Sequence, residues 1–126
     1  PTSVLVVDDE PATLELLTDL LTNQGFSVIA ARSGREGIDL ARRMRPTLVV
    51  LDLIMPEPDG FEVARRIRAM PDGEEIPIVV FSNKELTGEE RERLQGSVSA
   101  IVAKGHGRDA LLRELSILAA PRENGH

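Results

Sequence analysis

The chain has no cysteine, tryptophan or tyrosine, and its only aromatic residues are three phenylalanines. Without cysteine it cannot form disulfides, thiolate metal sites or a cysteine nucleophile. This composition fits a reducing compartment, and we expect a cytoplasmic protein. The formal net charge of −6 and the few aromatic rings argue against a nucleic-acid surface, which needs a basic groove and stacking platforms. We therefore expect no direct contact with nucleic acid.

Long apolar runs are also absent from the sequence. No stretch approaches the roughly 20 apolar residues that a membrane-spanning helix needs, so we expect no membrane insertion. The amino terminus does not have the basic start and apolar core of a secretion signal. A length of 126 residues fits one domain with its own core. We assign residues 1–120 to that domain and expect residues 121–126 to be a disordered tail.

Short apolar runs alternate with helical patterns along the chain. The runs predict strands at 3–7, 26–31, 48–51, 76–81 and 97–103. Helices are predicted between them and after the last strand, opening at Pro11, after Ser33 and Asp59, and at 89–94 and 109–118. Alternating strands and helices with right-handed crossovers give a parallel sheet. We therefore predict an α/β, flavodoxin-like, three-layer doubly wound (βα)5 fold with five strands in the order 2-1-3-4-5.

Two helix starts carry the sequence pattern of a capping box. Ser33 is followed three residues later by Glu36, and Thr87 is followed by Glu90. In this arrangement each side chain accepts a hydrogen bond from the backbone N–H of the other residue. The pattern predicts reciprocal caps at the starts of the second and fourth helices.

The run Leu48–Leu51 leads directly into Asp52. Four apolar residues without polar alternation indicate a strand buried on both faces, and hence a central one. Ligands in open α/β sheets collect at the carboxyl ends of the strands. Taken alone, an aspartate at a strand end is more often a turn or helix-cap residue than a functional one.

The predicted strand order brings further polar residues to the same edge. Asp8 and Asp9 follow the first strand, next to Asp52, while Ser82 and Lys104 arrive from the fourth and fifth strands. Unit charges ~5 Å apart repel by roughly 3 kcal/mol per pair at an effective dielectric constant of ~20. Three carboxylates must therefore share protons or hold a cation.

Carboxylate and carbonyl oxygens favour Mg²⁺, which typically bridges protein carboxylates to a phosphate. We expect Asp9 to ligate this metal directly and Asp8 mainly through water. Asp52 and the backbone carbonyl of Ile54 would complete the protein ligands.

A carboxylate beside Mg²⁺, with an ammonium and a hydroxyl nearby, can accept a phosphoryl group as an acyl phosphate. Asp52 would be the nucleophile. Ser82 and Lys104 would contact the other phosphoryl oxygens. A phosphatase of the dehalogenase type also uses an aspartate and magnesium, but it needs a second acid two residues after the nucleophile, where this chain has Ile54.

Four motifs in this order resemble the receiver domain of two-component response regulators: VLVVDDEP, LVVLDLIMPEPDGFE, PIVVFS and a strand ending in Lys104. The resemblance spans essentially the whole chain. The stretch FSNKELTGEERERLQGSVSAIVAKG is similar to receivers at the carboxyl end of hybrid histidine kinases. Members of this family have the strand order predicted above, so the predicted order and the resemblance are not two independent arguments for the family.

The resemblance implies that Asp52 takes a phosphoryl group from the phosphohistidine of a histidine kinase or a histidine phosphotransfer domain, in a Mg²⁺-dependent reaction. Ser82 and Lys104 would reorient to bind the phosphoryl group. The domain would be a signalling switch or phosphorelay element for an unknown output protein, not a turnover enzyme. Because Ile54 has no polar group to orient an attacking water, and Lys84 is placed to lie across the phosphoryl group and shield it, we expect slow self-dephosphorylation of the domain. Its helix 4, strand 5 and helix 5 side would be a surface for a homodimer.

Three positions depart from the family pattern. Gly105 follows Lys104 where the family usually has a proline after a cis peptide; a cis bond before glycine would cost roughly 3 kcal/mol, so we expect trans. Ile101 replaces the family's switch aromatic residue, and Asn83 stands where a small residue is common. These departures leave open an alternative, a degenerate receiver that acts as a phosphorylation-independent interaction module.

Overall fold

The computed structural model describes residues 2–120, in which strands and α-helices alternate. The strands are β1 (Ser3–Val7), β2 (Ser27–Ala31), β3 (Leu48–Leu51), β4 (Ile78–Ser82) and β5 (Ala100–Ala103). The helices are α1 (Pro11–Asn23), α2 (Gly34–Met44), α3 (Gly60–Arg68), α4 (Gly88–Leu94) and α5 (Arg108–Ala119). None of these helices is long and apolar enough to cross a bilayer. The tail predicted for residues 121–126 lies outside the described residues.

All strand pairs are parallel, in the order β2-β1-β3-β4-β5. This topology confirms the predicted flavodoxin-like α/β fold. Within it, Val7 of β1 lies opposite Leu51 of β3, and Ser82 of β4 lies opposite Ala103 of β5. The residues that follow β1 and β3 are therefore neighbours at the carboxyl edge of the sheet.

The sheet is covered by helices on both faces, because successive strand residues point to opposite sides. Val4 and Val6 of β1 pack in a core with residues of α1 and α5. Leu5 and Val7 pack on the other face with residues of α2 and α3. A third cluster, which includes Leu94 of α4, extends the second face. These layers produce the predicted three-layer architecture.

Three strands begin later than the sequence predicts, β2 by a single residue, at Ser27 instead of 26. β4 begins at Ile78 instead of 76, and Pro77 just before it has no N–H to donate to a neighbouring strand. β5 begins at Ala100 instead of 97, because the amides of residues 97–98 donate to the carbonyl of Leu94 at 2.8 and 3.0 Å. Those bonds belong to the turn that ends α4.

The helix caps follow the predicted patterns in one of the two cases. Thr87 and Glu90 form the complete capping box at the start of α4. Ser33 accepts the N–H of Glu36 at 3.1 Å, but the Glu36 carboxylate accepts the N–H of Arg32 at 2.7 Å. The predicted box at α2 is therefore wrong in one half: the glutamate reaches one residue further back than the cap.

Candidate functional site

The carboxyl edge of the sheet carries every residue that the sequence analysis selected. They are Asp8 and Asp9 after β1, Asp52 and Ile54 after β3, Ser82 at the end of β4 and Lys104 after β5. Asp8, Asp52 and Ser82 are buried, with 2%, 6% and 5% of their surface exposed, whereas Asp9 is exposed. The strand order thus assembles a partly enclosed polar cluster at this edge.

The Asp52 carboxylate is held on both oxygens. Its Oδ1 accepts a hydrogen bond from the Ser82 hydroxyl at 2.7 Å and from the Ile54 N–H at 3.2 Å. Its Oδ2 accepts one from Lys104 Nζ at 3.3 Å. Because these donors come from three different segments, the orientation of the carboxylate depends on the relative positions of β3, β4 and β5.

Lys104 lies between two carboxylates. Its Nζ is 3.0 Å from Asp8 Oδ2 and 3.3 Å from Asp52 Oδ2, and its side chain is 16% exposed. Burial lowers the pKa of Lys104, but the hydrogen bonds and charges of Asp8 and Asp52 raise it by more, so the net shift is upward. The ammonium is therefore charged at neutral pH. The peptide bond that follows it is trans, as expected before Gly105.

Asp8 is a buried acid and not the cap of α1, whose N-cap residue is Glu10. Burial raises the pKa of the Asp8 carboxyl above its usual value, and the nearby charge of Asp52 adds to the rise. The Glu10 N–H, which donates to Asp8 Oδ1 at 2.9 Å, and Lys104 both oppose this shift. Lys104 thus offsets only part of the cost of burying an ionised Asp8.

The three acids form a cluster with the chemistry of a divalent-cation site. Asp8, Asp9 and Asp52 each offer a carboxylate oxygen within 4.8 Å of the others. Among the described residues, Lys104 is the one cation in ion-pair contact with this cluster. Three carboxylates and one ammonium carry a net negative charge when ionised, so this donor set fits Mg²⁺. The ligand role of the Ile54 carbonyl stays a prediction.

Gly60 is a residue of this edge that the sequence analysis did not select as functional. A Cβ at this position would clash with the carbonyl oxygen of Asp52 and crowd the Cα of Leu53. The Gly60 N–H donates to the Leu53 carbonyl at 3.3 Å, and Asp59 caps α3 by accepting the N–H of Glu62 at 3.0 Å. The Asp-Gly pair of the motif LVVLDLIMPEPDGFE is the sequence feature that indicates this geometry. The aspartate caps α3, and the glycine allows α3 to begin in contact with the backbone of Asp52.

The positions that depart from the family pattern lie around the cluster. Ile101 is 39% exposed on β5, and Asn83 is exposed directly after Ser82. Lys84 forms an ion pair with Glu90 of α4, with Nζ and Oε2 3.2 Å apart. The Lys84 ammonium is thus engaged on α4, while its backbone N–H donates to Ser82 Oγ at 3.4 Å.

Residues 4–116 match the family model described as the response regulator receiver domain. The chain belongs to this family. It is 33% identical over 104 residues to the polar-differentiation response regulator DivK of Brucella anthropi, which covers 82% of this chain and 85% of DivK. It is 36% identical over 118 residues to the response regulator MprA of Mycolicibacterium vanbaalenii, which covers 94% of this chain and 50% of that protein. The receiver thus spans half the length of MprA.

A solved structure agrees with the assignment. The receiver domain of the sensor histidine kinase PA1611 from Pseudomonas aeruginosa is similar at a TM-score of 0.84 and 27% identity, covering 94% of this chain and 98% of that one. That structure is described as having a magnesium ion coordinated in its active-site cleft.

The family assignment confirms the resemblance inferred from the motifs. Receiver domains are signalling switches and not turnover enzymes, and they act with histidine kinases or phosphotransfer proteins and with output domains. They bind Mg²⁺ at an acidic cluster of the kind formed here by Asp8, Asp9 and Asp52. The dehalogenase-type phosphatase is therefore excluded as the class of this chain.

Proposed function

We propose that Asp52 accepts a phosphoryl group from the phosphohistidine of a histidine kinase or a histidine phosphotransfer domain, and that the receiver then acts as a signalling switch or phosphorelay element. The observation that carries this proposal is the environment of the Asp52 carboxylate. It is buried, it has a hydroxyl at 2.7 Å and an ammonium at 3.3 Å, and it adjoins two further acids.

In the transfer, one Asp52 oxygen forms a bond to phosphorus while the bond from phosphorus to the histidine nitrogen breaks, and the imidazole keeps that electron pair. Both Asp52 oxygens are engaged before the reaction, so the attacking oxygen must give up a donor. Ser82 contacts one of these oxygens and Lys104 the other, and both donors can turn to the phosphoryl group, which brings a charge of about −1.5 to −2 and strong acceptor oxygens.

We assign the metal site of the reaction to the same edge. Asp9, the exposed acid, would ligate Mg²⁺ directly, and Asp8 would act mainly through water. Asp52 and the Ile54 carbonyl would be the other protein ligands. When bound, Mg²⁺ supplies positive charge that neutralises the phosphoryl oxygens and orients them for transfer.

The test is the intact mass of the chain after incubation with a small phosphodonor and Mg²⁺. We expect the wild-type chain to gain the mass of one phosphoryl group and Asp52→Asn to gain none. Asp39→Asn is the matched control, because Asp39 is an exposed acid on α2 that pairs with Arg43. A phosphoryl group on Asp52→Asn would place the acceptor elsewhere. No phosphorylation of the wild-type chain would favour the phosphorylation-independent interaction module.

We further propose that the acyl phosphate of Asp52 is lost slowly. Ile54, two residues after Asp52, is 54% exposed and has no polar group with which to orient an attacking water. Ile54→Asn supplies such a group and should shorten the phosphate lifetime, measured by the decay of the phosphorylated mass after the donor is removed. Ile101→Asn, an equal change on β5, should not. A lifetime that is unchanged or longer in Ile54→Asn would contradict this account.

Two features support a partner surface on the α4, β5 and α5 side. Ile101 is exposed on β5, and a groove lined by residues of α4 and β5 lies beside it. We propose that this side binds the output partner or a second copy of the chain.

We also assign the protein to the cytoplasm, which accords with its cysteine-free composition.

A further inference from the structure

The Arg68 guanidinium connects three backbone segments at the amino edge of the sheet, opposite the Asp52 site. Its Nε donates to the carbonyl of Ser97 at 2.7 Å. Its Nη1 donates to the carbonyls of Gly73 and Ile76 at 2.6 and 2.7 Å. Arg68, the last residue of α3, therefore binds the turn between α4 and β5, the 3₁₀ turn after α3 and the segment before β4.

These contacts are stronger than ordinary backbone hydrogen bonds, because the donor is charged. Arg68 is half-buried, and within residues 2–120 no carboxylate lies within ion-pair distance of it. Burial lowers the pKa of Arg68 and Glu74 partly opposes that shift. The carbonyl oxygens thus replace water around this cation. Breaking one of these hydrogen bonds would leave part of a half-buried charge without a partner, which is unfavourable.

The two ends of α4 are held in different ways. At its carboxyl end, Leu94 is fully buried in a cluster with Leu53 and Phe61, and the following turn is bound by Arg68 through the Ser97 carbonyl. At its amino end, the contacts are polar and partly exposed: the Thr87 capping box and the ion pair between Lys84 and Glu90. The carboxyl end is therefore the more firmly fixed.

The weaker end is also the end that is connected to the phosphoacceptor site. Ser82 Oγ donates to Asp52 Oδ1 and accepts the backbone N–H of Lys84 at 3.4 Å. When Ser82 turns to a phosphoryl group on Asp52, the segment that leads into α4 loses this arrangement. A displacement that begins there reaches the amino end of α4 first.

We propose that Arg68 makes the carboxyl end of α4 a fixed pivot, so that phosphorylation moves the amino end of the helix while the turn before β5 stays in place. This inference rests on the proposed phosphorylation of Asp52. Arg68, at the edge of the sheet opposite Asp52, would thus confine the structural change on phosphorylation to residues 83–90.

The experiment measures amide hydrogen exchange in the full chain, with and without beryllofluoride and Mg²⁺, for the wild type and three variants. Arg68→Gln removes the cation, and Arg68→Lys keeps the charge but has no planar fork to reach three carbonyls. Arg66→Gln is the control: Arg66 lies on the same helix and pairs with Glu62 at 2.9 Å, within α3. Exchange in β1 and α2 reports whether each variant keeps its fold.

Without beryllofluoride, we expect the amides of Ser97 and Val98 to exchange roughly tenfold or more faster in Arg68→Gln and Arg68→Lys than in the wild type. Arg66→Gln should match the wild type. Both reporter amides donate to the Leu94 carbonyl, so their exchange follows opening of this turn. Unchanged exchange in both Arg68 variants would overturn the assignment of Arg68 as the tether.

With beryllofluoride, we expect the wild type to change at residues 83–90 and not at 94–99, and both Arg68 variants to change in both segments. A response that stays confined to 83–90 in these variants, or that already includes 94–99 in the wild type, would overturn the pivot. If beryllofluoride changes no segment of the wild type, the phosphorylation switch fails and the pivot fails with it. The comparison without beryllofluoride then still decides whether Arg68 holds the turn.

Discussion

At the scale of single residues, the site orients a buried carboxylate by means of hydrogen-bond donors that can be displaced. Asp52 is satisfied by the Ser82 hydroxyl, the Ile54 N–H and the Lys104 ammonium. The two side-chain donors come from the ends of the two strands beyond β3, namely β4 and β5. In the proposed transfer, Asp52 is held in place beforehand, and its two side-chain donors then pass to the phosphoryl group.

Gly60 is a second residue on which the geometry of Asp52 depends. In Gly60→Ala the new Cβ meets the Asp52 carbonyl, so the loop between β3 and α3 must shift. Such overpacking typically costs about 1–3 kcal/mol, and we expect a loss of that size in the free energy of unfolding, measured with urea. We also expect slower phosphorylation of Asp52.

Gly88→Ala is the matched control for this substitution. Gly88 opens α4, and a Cβ there has no neighbour within 4 Å, so the change should be neutral or slightly stabilising through helix propensity. If both alanine variants unfold at the same urea concentration, close packing of Gly60 against Asp52 is not what fixes the loop.

At the scale of elements, α3 combines a buried start with a charged outer face. Its first turn is capped by Asp59 and contacts Asp52, while Glu62 accepts hydrogen bonds from Arg65 and Arg66. The bonds to Arg65 and then Arg66 are the main causes that lower the pKa of Glu62 to about 2. The outer face of the helix thus has its own internal charge pairing.

This pairing predicts a pH dependence. Because the folded pKa lies below the ordinary value of 4.5, ionised Glu62 contributes stability above pH 4.5, and this contribution is lost as the pH falls through about 2. An NMR titration of the Glu62 carboxyl should place its midpoint near 2, and the double variant Arg65→Gln, Arg66→Gln should return it towards 4.5. A wild-type midpoint near 4.5 would show that these exposed pairs are not maintained in solution.

The strands and most helix starts could be predicted from local patterns, because apolar runs and caps act within a few residues. The details that were missed depend on which of several nearby groups forms a hydrogen bond. The start of β5 is set by amides of the preceding turn that bond to Leu94, and the Ser33 box fails because Glu36 prefers the Arg32 N–H. No local pattern shows either choice. The contact of Arg68 with the Ser97 carbonyl is a tertiary one, between residues 29 positions apart in the sequence.

The site itself followed from the strand order, since Asp8, Asp52, Ser82 and Lys104 each adjoin the end of a strand. What the sequence could not provide was the pairing within the cluster. Lys104 contacts Asp8 as well as Asp52, and Lys84, which the sequence suggests as a shield over Asp52, pairs with Glu90 of α4 instead. Such pairings depend on side-chain reach across several elements.

At the scale of the whole molecule, the parallel sheet concentrates negative charge at one edge. Asp8, Asp9 and Asp52 are brought together by the neighbouring positions of β1 and β3, and Lys104 balances only part of their charge. Repulsion among these carboxylates therefore lowers the stability of the folded chain. A cation that binds at this edge should reduce the repulsion and raise the stability.

Magnesium should accordingly stabilise the folded chain at neutral pH. Binding to the native state alone contributes about 1.4 kcal/mol at ten times the dissociation constant, which corresponds to a few degrees in Tm. Thermal melts with and without Mg²⁺ measure the effect, and Asp9→Asn should reduce it. A Tm that does not change with Mg²⁺ in either the wild type or Asp9→Asn would argue against a metal site at the three acids.

The central claim is that Asp52 is the residue that receives the phosphoryl group from a phosphohistidine. The most direct measurement incubates the chain with a phosphorylated histidine phosphotransfer domain and Mg²⁺ and then reduces the product with borohydride, which converts an aspartyl phosphate to homoserine. Peptide mapping by mass spectrometry locates the homoserine. The account predicts homoserine at position 52 and at no other aspartate, in a yield that depends on Mg²⁺. Homoserine at Asp8 or Asp9, or phosphate that leaves the histidine without any homoserine in the chain, would contradict it.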